Sequence, residues 1–290
     1  MSWRTIVVAN SAKLDYQMGY LVVRKEDITK VHMSEIYMLI VESTAVSITA
    51  ALLSELTKKK IKVIFCDEKR NPSSELISYY GSHDTSAKIR TQITWSRDIK
   101  AAVWTEVVSE KIRKQAEHLL MYGKSEAEML YRYIEEMEFG DASNREGHAA
   151  KVYFNALFGM DFTRTTENSI NAALNYGYGI ILSSFNREIV ANGYITQLGL
   201  FHDNMFNQFN LGSDLMEPFR PLVDRTVKSM MPVKFEHDEK MSILQVLQQE
   251  IVIAGRKEYV SNAIKIYCHS VFEALNDKDP SLIKFYQNEL

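Results

Sequence analysis

The stretch Gln197–Asp224 gathers residue types from which metal sites are built. His202 is followed by Asp214 and, three residues later, by Glu217. Residues three apart lie on one face of a helix, so the two carboxylates are expected to project together. One imidazole with carboxylates and no thiolate suits Mg²⁺ or Mn²⁺ better than structural zinc. The stretch therefore predicts part of a divalent-metal site, with a further ligand to come from elsewhere.

Simpler interpretations of the same stretch exist. Asp214-x-x-Glu217 fits a capping box at a helix start, and a lone histidine among apolar residues is commonly structural. Pro218 and Pro221 follow at once, and Pro221 is expected to remove a backbone hydrogen bond and kink the helix. Two prolines at this point indicate a shaped turn rather than an ordinary helix start.

Glu146, in the segment NREGHAAKVYF, is the candidate for the remaining ligand. Gly147 follows it, although glycine costs about 1 kcal/mol relative to alanine inside a helix. A glycine there allows a ligand or another backbone to approach closely. Ser143-x-x-Glu146 fits a capping box equally well, so spacing leaves both interpretations open. His148 lies on a different helix face and is interpreted as structural or exposed.

A metal held by such ligands would act on phosphoryl oxygens or activate a hydroxyl for in-line attack, which indicates phosphodiester chemistry. Arg145 and Arg220 flank the proposed ligands, and arginine forks match phosphate geometry, although surface ion pairs would explain them too. Asn175 and Tyr176 lie in an otherwise apolar helix, where they could contact nucleotides or form a buried polar network. We therefore predict DNA contacts from Arg145, Asn175, Tyr176 and Arg220.

Composition is that of a soluble globular protein, with 290 residues of which 46% are hydrophobic and 24% charged. The formal net charge of -3 gives no global basic signal, so a DNA partner must meet local patches. Cys66 and Cys268 lie in apolar runs and are expected to be buried thiols of a cytoplasmic protein. No signal peptide or membrane-length apolar run is evident, so no membrane partner is expected.

The first part of the chain predicts a small antiparallel sheet or sandwich. A helix is expected over Ser47–Leu56 between these strands, and the domain boundary is placed at about 70–86. The predicted strands are Thr5–Ala9, Tyr20–Arg24, Asp27–His32, Ile36–Val41, Ile61–Cys66 and Leu76–Tyr80.

From Ala87 onward the apolar residues follow helical spacing. One long helix is expected to end at Gly123, and later helices are predicted over Ser125–Glu138, Arg145–Phe158, Ile170–Val190 and Glu239–Asn276. The predicted fold class is α+β: a small β-rich N-terminal domain (1–80) followed by a larger all-α catalytic domain (87–290).

The segments NREGHAAKVYF, INAALNYGYGIIL and H-x11-DLMEPFRPLVD together resemble a known family. It is the CRISPR-associated integrase family of the adaptation module, the first-numbered universal Cas protein. LLSELTKKKIKVIFCDEKRNP is similar to the end of that family's sheet domain. The similarity covers most of the chain, and the compact layout resembles the form that accompanies a single large effector nuclease in type II systems.

The resemblance implies that Glu146, His202 and Glu217 bind Mg²⁺ or Mn²⁺ and that Asp214 supports catalysis. The last acid is often aspartate in the family, whereas Glu217 is one methylene longer. A β-rich domain that forms a homodimer is also implied. The implied protein partner is a small second Cas adaptation protein, with two integrase dimers flanking one partner dimer. The effector nuclease of the system is a further candidate partner.

The implied reaction is transesterification on double-stranded DNA. The 3′-hydroxyl of a short captured fragment attacks a phosphodiester at the edge of a CRISPR repeat. Two other hypotheses use the same residues: a metal-dependent nuclease acting on branched DNA with water as the nucleophile, and a non-catalytic DNA-binding scaffold whose carboxylates only cap helices.

Overall fold

The computed structural model describes residues 4–78 and 82–288. The described residues up to Thr85, together with Val190–Gly193, form one compact unit. Ser86–Ile189 and the residues from Tyr194 onward form the other. The dimerising role of the first unit stays a prediction.

The first unit consists mainly of strands. They are β1 (Arg4–Val8), β2 (Ala12–Gln17), β3 (Tyr20–Arg24), β4 (Ile28–His32), β5 (Ile36–Val41), β6 (Val46–Ile48), β7 (Lys62–Cys66) and β8 (Pro72–Leu76), with helix α1 (Ala50–Lys58) after β6. One sheet has the order β1-β5-β7-β8 and another the order β4-β3-β2-β6.

Both sheets are mixed rather than antiparallel. Strand β5 pairs in parallel with β1 and β7, and all six of its residues are buried, as its continuous apolar run predicted. The expected strand at Leu76–Tyr80 is wrong in position. Strand β8 begins instead at Pro72 on the sheet edge, where the missing N–H of proline costs no ladder bond. Tyr79 and Tyr80 lie outside the described residues.

Strand β2 was not predicted, because its alternating residues include charges that weaken the hydrophobic pattern. It forms a hairpin with β3 through Met18 and Gly19, both with positive φ. Such a two-residue turn matches the right-handed twist of the strands it joins.

The second unit carries most of the helices. Those of the described residues are α2 (Thr85–Ile93), α3 (Arg97–Met121), α4 (Glu126–Glu135), α5 (Arg145–Phe158), α6 (Ser169–Ala191), α7 (Asn210–Leu215), α8 (Arg220–Met230), α9 (His237–Leu244) and α10 (Val260–Asp277). The long helix expected from Ala87 is divided, because the Ser96 side chain accepts a hydrogen bond from the Ile99 N–H (3.3 Å) and starts α3.

The second unit is mostly helical, but it also contains a small sheet that the all-α prediction missed. Strands β9 (Glu250–Ile253) and β10 (Arg256–Tyr259) form a hairpin within the segment interpreted as one helix, and β11 (Tyr286–Gln287) pairs with β9. Ala254 and Gly255 both have positive φ in the turn. The α+β class, with a strand-rich first part and a mainly helical second part, is confirmed.

Cys66 and Cys268 are both buried and are not joined by a disulfide, as predicted. Across residues 4–78 and 82–288, every helix is too short or too polar to span a lipid bilayer.

Candidate active site

Glu146 lies in the first turn of α5, but it does not form the capping box that its spacing allowed. Asp141 caps this helix instead, accepting hydrogen bonds from the N–H groups of Arg145 (2.6 Å) and Glu146 (3.1 Å). Ser143 Oγ is buried without a hydrogen-bond partner among the described residues. The Glu146 side chain therefore does not cap the helix, and it forms an ion pair with a lysine on α3.

Asp214 organises the loop that carries His202. Its fully buried carboxylate accepts hydrogen bonds from the N–H groups of Leu200 (2.6 Å), Phe201 (3.0 Å) and His202 (3.2 Å). The same carboxylate accepts a short hydrogen bond from His202 Nδ1. Gly199 allows this wrapping, because a Cβ there would overlap the His202 carbonyl and the Asp214 carboxylate.

The imidazole of His202 is fixed by this hydrogen bond. A carboxylate only accepts, so Nδ1 carries the proton and Nε2 is the ring atom available to a ligand. The hydrogen bond to Asp214 raises the pKa of His202 above its ordinary value, against the opposing effect of partial burial. The side chain remains 43% exposed, so Nδ1 is fixed while the ring stays reachable.

Glu217 begins a short 3-10 helix, Glu217–Phe219, between α7 and α8. Pro218 and Pro221 each occupy the first turn of their segment, where proline removes no helical hydrogen bond, so the predicted kink within a helix is wrong. Asp214-x-x-Glu217 is not a capping box either. The Glu217 side chain forms an ion pair with Arg220 (3.1 Å) and contacts a lysine on α3.

That lysine is Lys111, and sequence reasoning did not find it. Its Nζ forms close ion pairs with both Glu146 Oε1 and Glu217 Oε2. The Lys111 and Glu217 side chains are only 6% and 5% exposed, whereas Glu146 is 28% exposed. The structure thus brings two of the three predicted ligands to one spot, with an ammonium between them.

Opposing effects act on the ionisation of these groups. Burial alone would lower the pKa of Lys111, but the carboxylates of Glu217 and Glu146 outweigh it and raise that pKa. Burial would likewise raise the pKa of Glu217, yet Arg220 and Lys111 hold it below its usual value. Lys111 and Glu217 are therefore both charged at neutral pH.

His202 interacts electrostatically with Glu217 across the same region. Within residues 4–78 and 82–288, however, no group of three or more His, Cys, Asp or Glu side chains is already arranged to hold a metal ion. The Lys111 ammonium lies against both of the carboxylates.

The predicted DNA contacts differ in their surroundings. Arg145 pairs with Glu136 at 2.9 Å and lies over the Tyr133 ring at 5.4 Å, as the ion-pair alternative anticipated. Arg220 stacks on the Tyr178 ring with 4.8 Å to its centroid, beside Glu217. Arginine contacts with DNA stay predictions; Arg220 forms an ion pair with a proposed ligand, Glu217, whereas Arg145 pairs with Glu136.

Asn175 and Tyr176 differ in exposure and in their contacts. Asn175 is exposed and accepts a hydrogen bond from Arg164 at 2.6 Å. Tyr176 is buried and packs edge-on against Phe235, with Lys240 over its ring. A nucleotide could reach Asn175 directly, whereas the Tyr176 ring contributes to packing.

A buried polar network lies behind Arg220. Tyr153 donates to Asp224 at 3.1 Å, Tyr178 donates to the other Asp224 oxygen, and His118 Nδ1 bonds the Tyr153 hydroxyl at 2.7 Å. Burial raises the pKa of Asp224 to about 6, although both tyrosine hydrogen bonds oppose the shift. The network supports the Tyr178 ring on which the Arg220 guanidinium rests.

We expect Asp224 to stabilise the wild-type fold increasingly as pH falls, relative to the Asp224→Asn variant. The folded-state pKa of about 6 exceeds the ordinary 3.8, so the folded chain binds more protons between these values. This contribution is small at pH 7 and reaches about 2 kcal/mol near pH 4. Urea unfolding of both proteins at pH 7 and pH 4.5 would measure it. An identical difference in unfolding free energy at the two pH values would contradict the prediction.

A cavity of about 620 Å³ adjoins His202. Phe201 stacks on Trp104 at its wall, with ring centroids 4.7 Å apart and planes at 2°. Arg97 and Lys100 also line it. Aromatic faces beside cations are what a nucleotide strand requires from a binding groove.

The chain is similar to known proteins over nearly its whole length. A family profile described as "CRISPR associated protein Cas1" matches residues 5–252. The CRISPR-associated endonuclease Cas1 of Neisseria meningitidis serogroup C (strain 8013) is 32% identical over 291 residues, covering 98% of this chain and 96% of that relative.

Solved structures share the fold at low sequence identity. A casposase bound to integration product superposes with a TM-score of 0.78 at 16% identity, over 96% of this chain and 92% of that one. A Cas6-RT-Cas1–Cas2 complex contains a chain with a TM-score of 0.75 at 17% identity, covering 97% of this chain and 36% of that one. The family profile and the Neisseria relative together carry the assignment: this chain belongs to the Cas1 family of CRISPR-associated proteins.

Proposed function

We propose that the chain is a metal-dependent DNA integrase and endonuclease of CRISPR spacer acquisition. The observation that carries this proposal is the meeting of Glu146 and Glu217, from separate elements, at one charged spot beside a histidine held by Asp214. The naming of the Neisseria relative as an endonuclease supports DNA cleavage chemistry, and the casposase supports an integration reaction on this fold.

The residues present fit a divalent metal. Glu146, His202 and Glu217 would hold Mg²⁺ or Mn²⁺, since carboxylate oxygens and one imidazole are ligands these ions accept. Glu217 Oε2 is buried and makes no well-aligned hydrogen bond among the described residues, so it retains a lone pair for a ligand. When bound, the metal would supply Lewis-acid activation of a phosphoryl oxygen or of the attacking hydroxyl.

The chain's own residues prepare the site around the ligands. Asp214 holds the His202 tautomer that leaves Nε2 available, as partners of metal-bound histidines commonly do. The Arg220 guanidinium, rigidly stacked on Tyr178, would stabilise charge on the non-bridging phosphate oxygens. The cavity containing Phe201, Arg97 and Lys100 would hold the DNA strand next to His202.

In the proposed transesterification, the 3′-oxygen of the captured DNA bonds to a phosphorus of the repeat and loses its proton. The P–O bond to the repeat's own 3′-oxygen breaks, and that oxygen takes up a proton. The number of phosphodiester bonds is conserved, so no external energy source is required. The reaction therefore depends on positioning and on stabilising charge.

The proposed partners follow from the family. The Cas6-RT-Cas1–Cas2 complex supports assembly with a small second Cas protein, for which we propose two dimers of this chain flanking one partner dimer. Homodimerisation through the strand-rich unit, cytoplasmic location and contact with the effector nuclease belong to the same proposal. Its substrates are a captured double-stranded DNA fragment and a CRISPR repeat.

A strand-joining assay tests the proposed function. The chain and its small partner protein are incubated with Mn²⁺, a labelled duplex ending in 3′-hydroxyls, and a supercoiled plasmid that carries the repeat. We expect label to become covalently attached at the repeat edges, and a 3′-dideoxy donor to prevent this. Plasmid cleavage without attachment would favour the alternative, a nuclease acting on branched DNA, which the endonuclease name of the Neisseria relative also supports.

A further inference from the structure

Lys111 is the central charge of the proposed metal site. On helix α3, its ammonium contacts both Glu146 and Glu217. Arg220 pairs with Glu217 from another direction at 3.1 Å, so two cations and two carboxylates balance within the cluster. The two positive charges of Lys111 and Arg220 therefore balance the two negative charges of Glu146 and Glu217 without a metal.

We infer that Lys111 is an internal cation that occupies the space between Glu146 and Glu217 in the metal-free chain and leaves it when a divalent metal binds. The inference rests on the proposed metal-dependent function and deepens it by assigning a competitor to the metal. Lys111 would thus set how tightly the site holds its ion.

Electrostatics explains why the cluster needs such a cation. Two carboxylates with little solvent around them repel each other, and an unpaired buried charge is strongly destabilising. Lys111 removes that repulsion when no metal is present. A divalent cation beside the same two carboxylates would repel the ammonium, so the two cannot favourably share the position.

The structure also indicates which cation moves. Arg220 is held by stacking on Tyr178, and its planar fork is fixed. Lys111 has a flexible four-carbon stem that can redirect its compact charge. Glu146 is the more exposed of the two carboxylates, so the ammonium can withdraw along its side toward solvent.

The test compares Mn²⁺ binding by the wild type and by Lys111→Met, a change that keeps the apolar stem and removes the charge. Isothermal titration calorimetry without DNA makes the readout independent of activity. Removing the competitor should tighten Mn²⁺ binding by at least about tenfold. Thermal unfolding should show Lys111→Met less stable than wild type in EDTA, with a larger gain on adding Mn²⁺.

Lys114 supplies a matched control on the same helix. Its side chain is also buried and paired, with Glu110 at 3.2 Å and Glu117 at 3.0 Å, but it contacts none of the proposed ligands. Lys114→Met should lower thermal stability and leave Mn²⁺ affinity unchanged. A similar affinity gain in both variants would show a general charge effect and overturn the inference.

A folded Lys111→Met protein that binds Mn²⁺ no more tightly than wild type would overturn the inference while leaving the metal site in place. Absence of Mn²⁺ binding by the wild type and the variant alike would overturn both. Should the variant fail to fold in EDTA, a crystal structure of wild type with Mn²⁺ decides. Lys111 Nζ must then have left at least one carboxylate, and an ammonium still touching both would contradict the inference.

Discussion

Replacing His202 by alanine should lower the rate of DNA strand joining by at least about a hundredfold, because removing a ligand costs at least as much as removing its supporting partner. The fold should persist, since the His202 side chain is 43% exposed and Asp214 keeps its three backbone donors. Initial rates of label attachment at saturating Mn²⁺ measure the first effect, and thermal unfolding measures the second.

His148→Ala is the control for this experiment. His148 is exposed on α5 and contacts the Tyr133 ring, 6.3 Å between centroids. Its loss should leave joining unchanged. Wild-type rates in the His202→Ala protein would remove His202 from the mechanism.

Asp214→Asn should affect both stability and metal binding. The carboxylate accepts three backbone N–H groups and the His202 ring, and an amide would turn a donor toward some of these donors. We expect the free energy of unfolding to fall by about 2–3 kcal/mol, the cost of leaving buried donors unsatisfied. Mn²⁺ affinity should fall by about 10- to 100-fold because the His202 tautomer is no longer fixed.

Asp203→Asn is the matched control, since Asp203 is exposed in the same loop. Urea unfolding and calorimetric Mn²⁺ titration of both variants separate the two roles of Asp214. Equal stability of Asp214→Asn and wild type would show that the loop does not depend on this carboxylate.

Much of the architecture could be predicted from the residue types and their order along the chain. The continuous apolar run of β5 indicated a buried strand, and α5 lies where Gly159 and the spacing placed it. Sequence also selected Glu146 and Glu217, which the fold brings to one ammonium. The sequence could not show whether Glu146 caps α5 or is available to a ligand. The answer depends on Asp141, which the 3-10 turn before α5 places where it caps this helix instead.

The spacing of buried residues along α3 did contain a sign that Lys111 is unusual. Trp104, Val107 and Val108 mark the buried stripe of α3, and Lys111 follows at the next turn of that stripe. A charged residue on an apolar face requires a buried partner. That rule would have identified Lys111 as unusual, but its partners come from α5 and Glu217–Phe219, which only the tertiary fold reveals.

The hairpin of β9 and β10 was missed for a local reason. Its turn uses Ala254 before Gly255, where asparagine or aspartate is the common signal, so the pair did not indicate a two-residue turn. The apolar residues on either side then matched helical spacing by chance. The turn depends on the positive φ values of Ala254 and Gly255, which the composition of this segment did not indicate.

The origin of the site from distant parts of the chain has a consequence for biosynthesis. Lys111 and Glu146 leave the ribosome well before Glu217, and at typical elongation rates the delay between Glu146 and Glu217 is roughly 4–14 s. In the folded chain Lys111 pairs with Glu146 as well as with Glu217, so one of its two ionic partners is translated before the other. The ion-pair cluster is completed only when Glu217 is available, so the proposed metal site cannot form before this part of the chain is translated.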